Sequence, residues 1–208
     1  MPHLDLLANA LVTLLVTIDP AGLAPLFLSI TAGMNRRERF QVALRGCIIS
    51  GAILLTFAIT GSMILNFLGI TIGAFRIAGG LLLFWIAFEM IFEKRQERHE
   101  RSARRAISQD QIRNTAVFPL AIPLIAGPGS ISAVILLSSS FSGPVARAEL
   151  VGVILISLIA TFLMLIIAER LDRLMGETGR IILTRLLGVI LAALAVQFVV
   201  DGIKAVMV

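Results

Sequence analysis

Long apolar runs alternate with short charged or turn-rich segments along the whole chain. A helix needs about 20 predominantly apolar residues to cross the hydrocarbon core of a bilayer, and six runs have that length. The predicted spans lie near residues 5–32, 42–65, 71–92, 114–140, 148–168 and 182–204. The pattern therefore predicts an all-α, polytopic membrane protein with six transmembrane helices.

The composition also favours the bilayer as the solvent for these helices. Of the 208 residues, 58% are hydrophobic and only 15% are charged. Even a 150-residue soluble domain buries only about 70% of the surface that its unfolded chain exposes, so a soluble core could not absorb this much apolar surface. The first run carries Asp5 and lacks a convincing cleavage site, so we interpret it as a retained span and not as a signal peptide.

Basic residues are concentrated on one side of the predicted bundle. The connectors between spans 1 and 2, 3 and 4, and 5 and 6 hold 14 of the 18 lysines and arginines, whereas the opposite side holds Arg147 and Lys204. Positive residues are retained in the cytoplasm, so both termini are predicted to lie outside an inner membrane and residues 93–113 to form a charged cytoplasmic linker. This distribution explains the net charge of +5 by topology and anionic headgroups, without nucleic acid.

The two halves of the chain resemble each other weakly. Residues 18–22 (IDPAG) correspond to residues 125–129 (IAGPG), and residues 75–79 (FRIAG) correspond to residues 184–188 (TRLLG). Each half has three spans, so the second half must enter the membrane from the opposite side. We interpret residues 1–92 and 114–208 as inverted three-helix repeats, which are common in alternating-access transporters. A chance match between two glycine-rich, hydrophobic halves is the alternative.

The first span is interrupted in its middle by two prolines and a glycine. Each proline removes a backbone donor and clashes with the preceding turn, and non-helical backbone at membrane depth must be buried in protein or line a wet cavity. We therefore expect an inward-facing break that includes Asp19, Pro20 and Gly22. The Asp19 carboxylate would either cap the next half-helix or titrate as a coupling group, and both interpretations stay open.

The fourth span breaks at the corresponding place, but no acid is present there. The residues that form this predicted break are Gly127, Pro128, Gly129, Ser130 and Ser132. The glycines would expose backbone amides at the start of a half-helix, where about half a positive charge can hold a carboxylate. If Asp19 faces these amides, the pair suits a zwitterion. The alternative is that both breaks are kinks that permit tight packing.

Two arginines lie inside predicted spans. Arg76 and Arg185 are near the starts of spans 3 and 6, and inversion would place them at opposite faces of the membrane. We predict a structural or gating role for both, in preference to contact with a substrate.

No motif of an enzyme is found in the chain. HExxH, GxSxG and P-loop patterns are absent, and no histidine falls inside a predicted span. Cys47 is the only cysteine, and His3 and His99 are isolated, so we expect neither a metal site nor a cofactor. ATP-driven transport by this chain alone is excluded on the same grounds. Any driving force would come from ion or solute gradients, with H⁺ or Na⁺ as the open choices of coupling ion.

Three of these motifs together resemble the MarC family of bacterial and archaeal integral membrane proteins. The motifs are residues 19–22 (DPAG), 75–80 (FRIAGG) and 126–130 (AGPGS). The likeness covers nearly the whole chain, although Ala21 stands where the family often has a second proline. The resemblance implies an inner-membrane protein related to the LysE-type exporter superfamily, some MarC members being described as transporters of small neutral amino acids.

Two functional hypotheses follow. The first is a secondary transporter of a small zwitterionic solute, such as a neutral amino acid, that works by rocking of the two repeats. The second is a non-transporting membrane scaffold or assembly factor whose basic 93–113 linker binds a cytoplasmic partner. Membrane lipids and a small solute are the expected partners, nucleic acid is not, and assembly into homo-oligomers is left open.

Overall fold

The computed structural model describes residues 2–92, 115–141 and 143–207. Seven helices lie within these ranges: α1 Pro2–Ile18, α2 Pro20–Ile30, α3 Arg36–Phe67, α4 Ile72–Ile91, α5 Pro128–Ser138, α6 Pro144–Ile166 and α7 Ala168–Met207. Residues Ala116–Ile125 are irregularly wound, and we call them the proline segment. The predicted linker at residues 93–113 lies outside the described residues.

These helices form up to six membrane-spanning elements. Five elements are long and apolar enough to cross a bilayer, with α1 and α2 counted together from Leu4 to Ile30. The proline segment and α5 meet at an angle of 56° and together make the sixth, broken span. The predicted all-α, polytopic organisation is therefore confirmed.

Two helices extend beyond the predicted spans, although the span predicted near residues 182–204 agrees with the apolar segment Ile181–Met207. Helix α3 begins at Arg36 and not near residue 42, because Asn35 and Glu38 form a capping box in which each side chain accepts a hydrogen bond from the other's backbone N–H. The charged connector predicted at residues 169–180 is helical and belongs to α7, with a kink at Gly176, whose φ is 61°. Hydropathy detects the apolar part of a helix and misses charged turns that extend beyond the membrane.

The first span is the central one. Within its apolar window 72% of the residues are buried, against between 22% and 39% for the other unbroken spans. The outer helices instead expose large apolar side chains such as Ile59, Leu163 and Leu186. Apolar side chains on the outside of a bundle suit a lipid environment, so the other spans shield the first from lipid.

Helices α4 and α7 pack closely along each other through small residues. A Cβ placed on Gly80 would lie 2.8 Å from the carbonyl oxygen of Ala195, and one on Gly202 would lie 2.8 Å from the carbonyl oxygen of Gly73. The contacts run in opposite directions along the chain, so the helices are antiparallel. Small residues let transmembrane backbones approach in this way, and the pair forms one wall of the bundle.

Candidate functional site

The break in the first span is one residue wide. The Asp19 amide still donates to the Leu15 carbonyl oxygen at 2.9 Å, and the Asp19 carbonyl already accepts from the Leu23 amide at 3.0 Å. Between these two ladders Asp19 adopts the left-handed conformation, with φ 56° and ψ 64°. Aspartate tolerates this region better than most side chains, so the chain turns at this one residue, where the regular hydrogen bonds of α1 end and those of α2 begin.

The Asp19 carboxylate caps α2 from inside the protein. Its Oδ1 atom accepts a hydrogen bond from the Gly22 amide at 3.1 Å, and only 4% of the residue is exposed. Pro20 occupies the first turn of α2, where its missing N–H costs nothing. A buried carboxylate at membrane depth is expensive, and such residues mark solute or ion pathways in membrane proteins.

The break in the fourth span extends over the proline segment. Phe118 and Ile122 have extended backbone conformations, with φ of −133° and −124°, and each precedes a proline in a cis peptide bond. A residue before proline is pushed out of the α region by the ring. The helix becomes regular only at Pro128, which follows the cap residue Gly127.

Hydrogen bonds from serines close the irregular backbone of the fourth span. The Ser130 hydroxyl donates to the Ile125 carbonyl oxygen at 2.6 Å, so this hydrogen bond connects α5 to the end of the proline segment. On α3, the Ser50 hydroxyl donates to Gly46 at 2.8 Å and lies 3.5 Å from the Ala121 carbonyl oxygen. Ser132 is half-buried on α5. The carbonyl oxygens of Ile125 and Ala121, the latter also bonded by the Ala126 amide at 2.8 Å, are thus satisfied within the protein, as burial in a membrane requires.

The two breaks meet inside the bundle. A Cβ built on Gly129 would lie 3.3 Å from Cγ2 of Thr17, two residues before Asp19, and would overlap with Cδ1 of Ile86. A side chain at residue 129 would have to displace the Ile86 side chain, so glycine lets the start of α5 approach α1 and α4 closely without such a shift. The structure therefore brings the N-terminal ends of α2 and α5 into one region of the interior.

Arg76 lies at the other end of α5. Its Nη2 atom donates to the hydroxyl of Ser139 at 3.1 Å, and Ser139 is the residue that ends α5. Eleven residues of helix separate this end from the break, a length of about 16 Å. Arg76 thus interacts with the negative end of the helix dipole and does not line the break. Arg185 is exposed on α7.

Two pairs of buried hydroxyl residues were not predicted from the sequence. On the central span, Thr13 and Thr17 are at most 2% exposed, and on α6 Ser157 and Thr161 are fully buried. Each pair is spaced by four residues, which places both hydroxyls on one helix face; this spacing was the available signal. Glu89 is 7% exposed and accepts a hydrogen bond from the Trp85 indole at 3.1 Å.

The described parts of the chain hold no group of three or more His, Cys, Asp or Glu side chains placed to bind a metal ion. The chemistry that the two breaks offer is therefore one buried carboxylate, several hydroxyl groups and the backbone dipoles of two half-helices.

Comparisons with known proteins agree over almost the full length of the chain. The model of the MarC family of integral membrane proteins matches residues 4–207. A UPF0056 membrane protein of Methanocaldococcus jannaschii is 41% identical over 90% of both chains. A UPF0056 membrane protein of Aquifex aeolicus is 34% identical over 96% of this chain and 92% of its own, and the UPF0056 membrane protein YvbG of Bacillus subtilis is 32% identical over 95% and 94%. No solved structure matches. The chain belongs to the MarC family of integral membrane proteins.

Proposed function

We propose that the protein is a secondary transporter that carries a small zwitterionic solute, such as a neutral amino acid, through the site between the two breaks. The observation that carries this proposal is the meeting of two half-helix N-termini inside the bundle, where Thr17 packs against Gly129. Paired discontinuous helices at corresponding positions are typical of transporter binding sites near the bilayer midplane.

The two half-helices offer complementary charges to such a solute. Helix α2 begins at a buried carboxylate, Asp19, which attracts an ammonium group. Helix α5 begins at Gly127 without a side-chain cap, so its N-terminal dipole is available to a carboxylate. An α-amino acid carries both groups on one carbon, and a short side chain suits a site between packed helices.

Matching features of the two halves support an inverted repeat. The half-helices α2 and α5 both contain 11 residues and both begin with proline, at Pro20 and Pro128. They end at hydroxyl residues, Thr31 and Ser139, whose side chains donate to carbonyls of the last turn. The two prolines and the two hydroxyl residues are separated by the same interval in the sequence. The second half-helix of each broken span therefore has the same length and the same residue types at its two ends.

The packing of the spans supports the same relation. The first span packs against the fifth and sixth, and the fourth packs against the second and third. The first also contacts the fourth, the second the fifth and the third the sixth. Exchanging the halves maps these contacts onto one another. A Cβ built on Gly51 would lie 3.1 Å from Cδ1 of Leu158, so the second and fifth spans, which correspond in the two halves, pack closely against each other.

The orientation of the protein in the membrane follows from which end of the bundle carries the basic residues. An ion pair between Arg39 and Glu169 joins the start of α3 to the start of α7, so the connectors before these helices lie at one end. This end carries the arginine-rich connectors, and the positive-inside rule assigns it to the cytoplasm of an inner membrane. Both termini then lie outside.

Flux in proteoliposomes tests the proposal. Wild-type protein should exchange radiolabelled glycine or alanine, and Asp19→Asn should abolish this flux. Asparagine also adopts the left-handed conformation and caps helices well, so the variant should fold and unfold like the wild type. The loss of flux would then report the missing negative charge.

Asp5→Asn is the matched control, because Asp5 is an exposed acid on α1 and the variant removes the same charge outside the site. Full flux in Asp19→Asn would overturn the role of Asp19. If the wild type moves no amino acid across a broad panel, while purified protein shows no thermal stabilisation by any of them, the transporter proposal fails.

A further inference from the structure

A cavity that is separate from the two breaks opens at the arginine-bearing end of the bundle. It has a volume of about 410 Å³ and lies between the C-terminal part of α2, the start of α3 and the junction of α6 and α7. This volume falls in the range of about 300–1,000 Å³ that is typical of small-molecule sites. The site described above does not use this cavity.

The polar part of the cavity is strongly basic. Arg36, Arg39 and Arg170 line it together with a single acid, Glu169, so its charged side chains sum to +2. Glu169 pairs with Arg39 between α3 and α7, and it competes with any bound anion for this guanidinium. The planar guanidinium of arginine suits the oxygens of a phosphate group.

Arg39 also presents an unsatisfied donor. Its Nε atom is buried and, among the residues that the structure describes, has no hydrogen-bond partner. Buried polar atoms in proteins are almost always hydrogen-bonded, and removing a donor from water without a partner is costly. Among the described residues, Arg39 is therefore the arginine of this cavity with a buried donor that no side chain or carbonyl satisfies.

The remaining walls of the cavity are apolar and reach the lipid-facing surface. Phe27, Leu28 and Leu165 line the interior side, while Phe40 and Ile166 are 46% and 39% exposed. Arg36 and Arg170 are exposed near the helix ends, at the level where a headgroup would lie. Phosphate and acyl chains are joined in the same order in a glycerophospholipid, whereas a free anion would use only the basic part.

We propose that this cavity binds an anionic glycerophospholipid, with its phosphate between the three arginines and its acyl chains along Phe40 and Ile166. Basic pockets between transmembrane helices are known to bind lipid headgroups. The bound lipid would join α2, α3, α6 and α7, which all have an end at this cavity.

Native mass spectrometry of the full chain in detergent, titrated with phosphatidylglycerol or phosphatidylcholine, tests the proposal. Phosphatidylglycerol should bind more tightly than phosphatidylcholine. Replacing an arginine by glutamine should weaken binding of phosphatidylglycerol about fivefold for each residue changed. The variants are Arg39→Gln and the double variant Arg36→Gln with Arg170→Gln, which leaves the pair of Arg39 with Glu169 intact.

Two controls separate specific binding from a general effect of charge. Arg37→Gln removes the same charge from the next residue of α3, which is exposed and does not line the cavity, and it should retain full affinity. Glu169→Gln breaks the ion pair but leaves Arg39 free, and its affinity should equal or exceed that of the wild type.

Three results would overturn the lipid site. Equal losses in Arg37→Gln and Arg39→Gln would indicate unspecific attraction to anionic headgroups. Equal losses of phosphatidylglycerol affinity in Glu169→Gln and Arg39→Gln would mean that the ion pair maintains the local structure and that Arg39 does not bind the phosphate. Displacement of phosphatidylglycerol by millimolar inorganic phosphate would assign the cavity to a free anion.

Discussion

The first and fourth spans both restart with a proline in mid-membrane, yet they satisfy the interrupted backbone by different means. In the first span, regular hydrogen bonds run up to Asp19 and resume from it, and the carboxylate caps α2. In the fourth span, ten residues from Ala116 to Ile125 are irregular, and the hydroxyl of Ser130 closes the last turn.

The difference shows how the placement of proline decides the width of a break. Pro20 sits at the first position of α2 and Pro25 is accommodated within that helix, so one left-handed residue is enough. Pro119 and Pro123 lie inside the proline segment and force Phe118 and Ile122 out of helical geometry. The first break therefore offers a side-chain charge, and the second offers backbone dipoles and hydroxyl groups.

Gly129→Ala is expected to have the largest effect on this comparison. The added Cβ would overlap with Ile86 Cδ1 and press on Thr17, so the second break would be forced away from the first. Overpacking of this kind costs about 1–3 kcal/mol. Thermal unfolding of purified protein in detergent should show a correspondingly lower Tm.

A second substitution tests the cause of that loss. Ile86→Val removes the atom that the new methyl group would meet, so the cost of Gly129→Ala should fall in the double variant by at least about 0.5 kcal/mol. Strictly additive losses would contradict the contact between α4 and the start of α5.

Ser130→Ala is expected to have the next largest effect on stability. The variant leaves the Ile125 carbonyl without the hydrogen bond that the structure shows at 2.6 Å, and the expected loss of stability is about 1 kcal/mol. Ser132→Ala is the matched control on the same helix and should change stability by no more than about 0.5 kcal/mol. If both variants lose the same stability, the Ser130 hydroxyl does not close the break.

Arg76→Gln should have a smaller effect, of about 0.5–1 kcal/mol, because a charge at the C-terminal end of α5 is lost from a partly exposed position. Ser139→Ala removes the acceptor of the same hydrogen bond, so the two losses should be less than additive in a double variant. If the two halves are equivalent, Arg185→Gln should lower stability by a similar amount. If Arg185→Gln has no effect on stability, the two arginines do not have equivalent roles.

The sequence was sufficient to predict the spans and the location of both breaks, because these depend on local properties. A proline disturbs its own turn whatever surrounds it, so Pro20 and Pro128 could be assigned to breaks without a structure. The width of the breaks was not predicted, since it depends on whether a proline lies at the start of a helix or ahead of it.

Contacts between residues that are far apart in the sequence could not be predicted from local sequence patterns. The space around Gly129 is set by Ile86, which is far away in the sequence, and the partner of Arg76 is Ser139 on another span. A gating or structural role for Arg76 could be predicted from its place in an apolar span, but its partner could not. No role was predicted for Thr17, whose hydroxyl donates to the Thr13 carbonyl oxygen of its own helix at 2.6 Å.

Gly22→Ala is expected to have the smallest effect on stability, although it should displace the Asp19 carboxylate at the first break. A Cβ on Gly22 would lie 2.8 Å from Asp19 Cγ and closer still to a carboxylate oxygen, so the cap, worth about 1 kcal/mol, would be lost. Alanine stabilises a helix interior by about 0.5–1 kcal/mol relative to glycine, and the two effects nearly cancel. In an Asp19→Gly background the carboxylate is absent, so the same substitution should raise stability by that amount, as measured by Tm. A loss in both backgrounds would mean that Gly22 is confined by another span, and the first break would then resemble the second.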